Sequence, residues 1–89
     1  MKLRLIDLGL EALNEDSANQ KEELAASENA SATILKQLAF DSSESVRLKV
    51  AENPHTPISV LDSLCYDSSR SVRITSKVRL LQRLAQRYG

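Results

Sequence analysis

The sequence predicts an all-α protein whose short helices form pairs that stack into a small solenoid. Only 3% of its 89 residues are aromatic and 42% are hydrophobic, so the core has to be built from Leu, Val, Ile and Ala. Shifting the sequence by 26 residues aligns 24–49 with 50–75 without a gap, which indicates an internal repeat. A single helical pair is too small to bury its own apolar face, whereas stacked pairs share one core.

Both copies of the repeat contain the pattern Leu-x-x-Leu-x-x-Asp-Ser-Ser-x-Ser-Val-Arg, which begins at Leu35 and at Leu61. A weaker copy precedes them as Leu10, Leu13 and Asp16, at an offset of 25 residues. A chain of this length is one domain. Its expected parts are an N-terminal capping pair or degenerate repeat (1–23), two repeats (24–49 and 50–75) and a C-terminal capping helix (76–89).

Each repeat is expected to hold two helices joined by a turn. In the first repeat, the apolar residues from Ile34 to Ala39 have the spacing of one helix face. The segment Asp41-Ser42-Ser43 supplies side chains that bond nearby backbone groups, so it predicts the turn. Ser43 or Ser45 can then cap the second helix.

The segment Asn53-Pro54-His55-Thr56-Pro57 predicts the break between the two repeats. Thr56 suits the N-cap of the helix that follows, and Pro57 suits its first turn. The last helix leaves the repeat pattern after Ser76, as expected of a terminal cap. The predicted helices span 3–14, 18–26, 32–40, 44–51, 57–66 and 70–87.

These motifs resemble a known family. The run from Asn53 to Pro57, followed by Leu-x-x-Leu, Asp and Val-Arg, is similar to the leucine-rich repeat variant. The turn aspartate with an arginine six residues later also resembles HEAT repeats. The resemblance implies a right-handed superhelix of stacked helices that serves in binding. Some members of the family carry an iron–sulfur module, which needs clustered cysteines; this chain has only Cys65, so no cofactor is expected.

Catalysis finds little support in the sequence. The single histidine, His55, lies in a predicted turn, and Cys65 occupies the position of Ala39 in the repeat, so a small buried side chain is expected there. The only glycines are Gly9 and Gly89, which excludes a glycine-rich phosphate loop, and no His/Cys cluster offers a metal site. The turn residues are expected to cap turns and brace adjacent units: Asp41, Arg47, Asp67 and Arg73.

Basic residues make the last helix the candidate interaction surface. The candidates are Arg79, Arg83 and Arg87, with Arg70 and Lys77. The first three fall on one side of a helix and are expected to form an exposed ridge, while Leu81 and Ala85 pack inward. Such a ridge suits nucleic acid phosphates or an acidic protein surface. The zero net charge and the presence of Tyr88 as the only nearby aromatic residue favour instead a solvated face with cations near a helix C-terminus.

Charge is unevenly distributed along the chain. Residues 1–45 hold four basic and nine acidic residues, a net charge of −5, whereas residues 46–89 hold eight basic and three acidic residues, a net charge of +5. This polarity favours a partner surface at one end or a self-compensating monomer. The sequence predicts a non-catalytic module that binds a protein partner, with nucleic acid binding and head-to-tail self-association as the alternatives.

The sequence predicts a cytoplasmic protein without a membrane partner. An acidic residue, Asp7, interrupts the N-terminus before any apolar run of secretory type. No stretch approaches the ~18 consecutive apolar residues of a membrane span. The lone Cys65 cannot form an intramolecular disulfide.

Overall fold

The computed structural model describes residues 19–88 of the chain, with side chains described through residue 87. The regular secondary structure of this part is all α-helix, with no strand, which confirms the predicted all-α class. The helix expected at 3–14 and the weak repeat copy around Leu13 lie outside the described residues. The five helices are α1 (19–26), α2 (Ala32–Leu38), α3 (Glu44–Glu52), α4 (Ile58–Leu64) and α5 (Arg70–Tyr88).

Serine hydroxyls start three of these helices. Ser31 Oγ accepts from the Ile34 N–H at 3.2 Å at the start of α2, and Ser43 Oγ accepts from the Val46 N–H at 3.5 Å at the start of α3. Ser69 repeats the contact for α5, with its Oγ 3.4 Å from the nitrogen of Val72. These contacts satisfy backbone donors that the first helical turn leaves without a partner.

The start of α4 differs from the prediction. Pro57 occupies the N-cap position with extended backbone angles, and no side chain caps this helix. Thr56 is fully buried, and its hydroxyl donates instead to the Val50 carbonyl at 2.6 Å. The last carbonyls of a helix lack donors within the helix, and Thr56 supplies one at the end of α3. The prediction of Thr56 as the N-cap of α4 is therefore wrong.

The core is aliphatic, and the first leucine and the valine of the pattern have the same environment in both copies. Leu35 and Leu61 are both fully buried, and so are Val46 and Val72. The longest helix, α5, packs mainly against α3 and α4. The buried apolar side chains are Ala25, Ala30, Leu35, Leu38, Ala39, Val46, Val50, Ala51, Val60, Leu61, Leu64, Cys65 and Val72.

The inward face of α5 is not the one predicted. Val72 and Ser76 are fully buried, and the inward line continues through the half-buried Leu80 and Leu84. Leu81, which was expected to pack inward, is 67% exposed. Ala85, the other residue expected to face the core, is also exposed. The repeat explains which face of α5 is buried, because Val72 and Ser76 occupy the positions of Val46 and Val50 in α3.

Candidate interaction site

An apolar stripe runs along the solvent side of α5. Ile74 is 49% exposed, Val78 47% and Leu81 67%, and the exposed Ala85 continues the line. The spacing of four, three and four residues places them on one helix face. We call these four residues the outer stripe. Its members lie on a continuous helix, so the surface is held rigid by the packing of the opposite face.

Cations border the outer stripe on one side. At 100° per residue, the exposed Arg70 and Lys77 lie along one edge of it, with the half-buried Arg73 beyond them. The other edge carries the uncharged Ser71 and Gln82. The site therefore combines an apolar centre with a basic edge, a composition that matches protein interfaces better than a plain solvated helix face.

The predicted arginine ridge is not a single exposed surface. Arg83 is half-buried, and its Nη1 donates to the Thr56 carbonyl at 2.7 Å. Its Nη2 donates to the carbonyls of Asn53, at 3.2 Å, and Pro54. Arg83 thus holds the turn between α3 and α4. Arg79 and Arg87 are exposed, as expected. The prediction that all three arginines form one solvated ridge is therefore wrong.

Ion pairs connect successive helical units. Lys21 Nζ lies 3.0 Å from Asp41 Oδ1, and Arg47 Nε lies 2.8 Å from Asp67 Oδ1. Both the bases and the acids are 26 residues apart in the sequence, so the same contact occurs twice. Sequence analysis missed Lys21, because a lysine stands where the two later units have arginine. The 26-residue offset could have identified it, since Lys21 lies 26 residues before Arg47.

Each arginine of the pattern also braces its own turn. Arg47 Nη1 donates to the carbonyls of Asp41 at 2.9 Å and Ser42 at 3.1 Å. Arg73 makes the equivalent bonds to Asp67 and Ser68 at the same two distances. Only Arg47 goes on to bind a carboxylate. Among residues 19–87, no carboxylate contacts Arg73.

The turn aspartates cap the turns, as the sequence suggested. Asp41 Oδ2 accepts from the Ser43 N–H at 2.9 Å, and Asp67 Oδ2 accepts from the Ser69 N–H at 2.8 Å. The bond from the Ser43 N–H lowers the pKa of Asp41; partial burial opposes the shift, and the Lys21 ammonium adds to it. The Asp41 carboxylate is therefore stabilised in its charged form.

Asn53 joins the first unit to the second. It is 3% exposed, and its Nδ2 donates to the carbonyls of Ala25 at 2.7 Å and Ser27 at 2.8 Å. Its Oδ1 accepts from the His55 N–H at 2.8 Å, so all of its polar atoms are bonded. The exposed His55 contributes its backbone to this turn. Loss of any of these hydrogen bonds would leave a buried polar group without a partner, which costs free energy. Asn53 therefore fixes the relative positions of the segments that it joins.

A second, smaller apolar surface lies between α2 and α4. Phe40 and Tyr66, 26 residues apart, are 75% and 81% exposed. Phe40 borders a groove of about 260 Å³, whose other lining residues are Lys36, Ala39, Ser59, Val60 and Ser63. The rings sit singly at the ends of their helices and do not form a continuous strip as the outer stripe does.

Reactive groups are few in the described part of the chain. Cys65 is buried, and desolvation raises the pKa of its thiol, with the negative charge of Asp62 adding to the shift. A protonated thiol is a poor nucleophile. Between residues 19 and 88, no group of three His, Cys, Asp or Glu side chains is placed to hold a metal ion. None of the described helices has the length and apolarity to cross a membrane.

Comparison with known protein families, with curated proteins and with solved structures found no match to this chain.

Proposed function

We propose that this protein is a non-catalytic interaction module that binds another protein through the outer stripe and its basic edge. In this proposal, the helical pairs stack as a short right-handed superhelix, as in HEAT repeats and the leucine-rich repeat variant. The observation that carries the proposal is the exposure of Ile74, Val78 and Leu81 on one face of a rigid helix. Soluble proteins rarely expose contiguous apolar strips unless a partner covers them.

The composition of the surface favours a protein partner over nucleic acid. Leu, Ile and Val side chains gain free energy by burial against other apolar groups, and they cannot stack on bases as aromatic rings do. The basic edge of Arg70 and Lys77 suits carboxylates at the rim of an interface. Arg83 is engaged by backbone carbonyls, so the arginine surface for phosphates reduces to Arg79 and Arg87.

A matched pair of variants tests the proposal. Leu81→Glu places a charge in the centre of the outer stripe, and Gln86→Glu places the same charge on the same helix away from it; both positions are exposed. Immobilised wild type and the Gln86→Glu control are expected to retain the same proteins from an extract of the source cell, and Leu81→Glu to lose them. Equal retention by all three proteins would contradict the proposal.

Nucleic acid binding is the alternative, and the same variants separate it from protein binding. A gel shift with duplex DNA and with RNA should show no binding at 0.15 M salt if the protein proposal is correct. Binding that survives in Leu81→Glu, falls in the double variant Arg79→Ala/Arg87→Ala and weakens with rising salt would favour nucleic acid instead.

A further inference from the structure

We propose that the outer stripe and its basic edge bind the N-terminal end of a second copy of this chain, so that copies stack head to tail. The inference rests on the proposed function, because it names the occupant of that same surface. Its starting point is Arg73, which contacts no carboxylate among residues 19–87.

Arg73 is oriented for a carboxylate by contacts that are already in place. Arg47 and Arg73 make the same pair of bonds to their own turns, at 2.9 and 3.1 Å. In Arg47, these bonds leave Nε and Nη2 free to hold both oxygens of Asp67, at 2.8 and 3.2 Å. The corresponding edge of Arg73 therefore lies where an aspartate from a following helical unit would bind it.

Ile74 of the outer stripe and its neighbour Lys77 correspond to residues that are covered inside the molecule. Ala51 in α3 is fully buried and Leu48 is half-buried against the core. The residues 26 positions later, Lys77 and Ile74, are exposed. The face that α3 uses within the stack is thus left uncovered on α5 among the described residues.

The open face is also more basic than the inner one. Glu44, which accepts from Ser69 Oγ at 2.6 Å at the inner junction, is replaced by Arg70 at the open end. Lys77 likewise replaces the neutral Ala51. Within the molecule, α4 and α5 contact the less basic face of α3. A partner for the exposed face of α5 has more positive charge to neutralise, so it needs more carboxylates.

The N-terminal segment of the chain has the required chemistry. Residues 10–17 carry the Leu-x-x-Leu-x-x-Asp-Ser pattern that precedes each arginine-binding turn, with Asp16 in the place of Asp67. Residues 7–16 contain four acidic residues and no basic one. In the proposed contact, Asp16 of one copy binds Arg73 of another, while α1 of the first copy lies against the outer stripe, as α5 lies against α3 within the molecule.

Charge argues against the simpler symmetric dimer. A two-fold contact between two outer stripes would bring Arg70, Arg73 and Lys77 of one copy towards the same residues of the other, and like charges at an interface disfavour association. A head-to-tail contact instead joins the half of the chain with net charge −5 to the half with +5. Such a contact is heterologous, so it extends into longer assemblies unless it closes into a ring.

Sedimentation equilibrium with two blocked variants tests the inference. Leu81→Glu blocks the outer stripe, and Asp16→Lys blocks the N-terminal end. Wild type and Gln86→Glu should associate with rising concentration, whereas each blocked variant alone should remain monomeric, with at least about tenfold weaker association. An equimolar mixture of the two blocked variants should form a 1:1 dimer, because one intact end of each kind remains.

Three results would overturn the inference: wild type that stays monomeric at millimolar concentration, self-association that persists in Leu81→Glu, or a mixture that forms no dimer. If either blocked variant melts earlier than wild type, Val78→Glu or Asp16→Asn takes its place. The capture experiment with Leu81→Glu and Gln86→Glu measures retention of other proteins. A monomeric wild type that still captures a partner would therefore refute self-association and leave the proposed function standing.

Discussion

Arg47 binds two consecutive turns at once: its Nε and Nη2 hold the Asp67 carboxylate, at 2.8 and 3.2 Å, while its Nη1 holds the Asp41 carbonyl at 2.9 Å. The two side chains of this ion pair are only 13% and 9% exposed. The pair is thus shielded from water, unlike the surface ion pairs that contribute little. Its aspartate is itself fixed by the Ser69 N–H.

The two arginines of the pattern should therefore differ in their effect on stability. Arg47→Ala removes the carboxylate contact and leaves Asp67 partly buried without its cation, so we expect the free energy of unfolding to fall by about 2–3 kcal/mol. Arg73→Ala removes only the two bonds to its own turn, and we expect a loss of about 1 kcal/mol. Urea unfolding at pH 7 measures both. Equal losses would show that the inter-unit contact contributes nothing.

Arg83 and Arg79 offer a second matched pair. Arg83→Ala removes the guanidinium that donates to the carbonyls of Asn53, Pro54 and Thr56, and we expect a loss of about 1–2 kcal/mol. Arg79→Ala changes an exposed residue, and we expect a change below about 0.5 kcal/mol. Thermal unfolding of the two variants side by side checks the difference. If Arg83→Ala melts with wild type, the arginine is a surface residue after all.

Ser76 is a weak point in the core that substitution should repair. It is fully buried where α3 has Val50, and its hydroxyl is the one buried side-chain polar atom in the described residues without a hydrogen bond. Ser76→Ala should raise the free energy of unfolding by about 1 kcal/mol, because it removes a polar group that water cannot reach. The control Ser63→Ala, at an exposed helical position, gains the helix propensity of alanine but loses the bond from Ser63 Oγ to the Ser59 carbonyl, so we expect a net change below about 0.5 kcal/mol. A destabilised Ser76→Ala would mean that the hydroxyl is bonded in solution.

The lowered pKa of Asp41 makes stability depend on pH. Because the folded state favours the charged carboxylate, its contribution is full above the ordinary value of 3.8 and is lost as the pH falls through the lower folded pKa. Urea midpoints should therefore drop as the pH falls below about 3.8. Asp41→Asn should be less stable than wild type at pH 7, and its curve should fall less steeply with acid. Parallel curves for the two proteins would contradict the role given to Asp41.

The repeat offset predicted more of this structure than hydrophobic periodicity did. The turns at Asp41 and Asp67, the caps at Ser43 and Ser69 and the buried leucines all followed from the aligned pattern, whereas the cap at Ser31 did not. The face of α5 was misassigned because its apolar residues were read without the offset. The helix is apolar on two sides, and periodicity cannot decide which side is covered. Carrying the offset from Val50 to Ser76 would have given the correct face, although a serine weakens that signal.

The site was the harder part to predict, because it depends on three-dimensional contacts. Arg79, Arg83 and Arg87 look alike in the sequence, and only the position of the turn at Asn53 distinguishes Arg83 from the other two. Likewise, an exposed Leu81 cannot be recognised until the neighbouring helices are in place. That Arg47 and Asp67 would brace adjacent units was predicted, but their direct pairing with each other was not, because the pattern does not specify which charges meet.

The Asn53–Thr56 turn is bonded from both directions along the chain. The Asn53 side chain holds the end of α1 through Ala25 and Ser27, while its carbonyl accepts from Arg83 near the end of α5. In most helical arrays, each unit contacts only its neighbours, so the ends can fray while the middle persists. Here the Asn53–Thr56 turn is bonded to both the first and the last described helix, so the two ends cannot unfold independently of each other. Amide hydrogens of α1 and α5 should then exchange through a shared opening, and a chain cut before Arg83 should loosen α1 as well as α5.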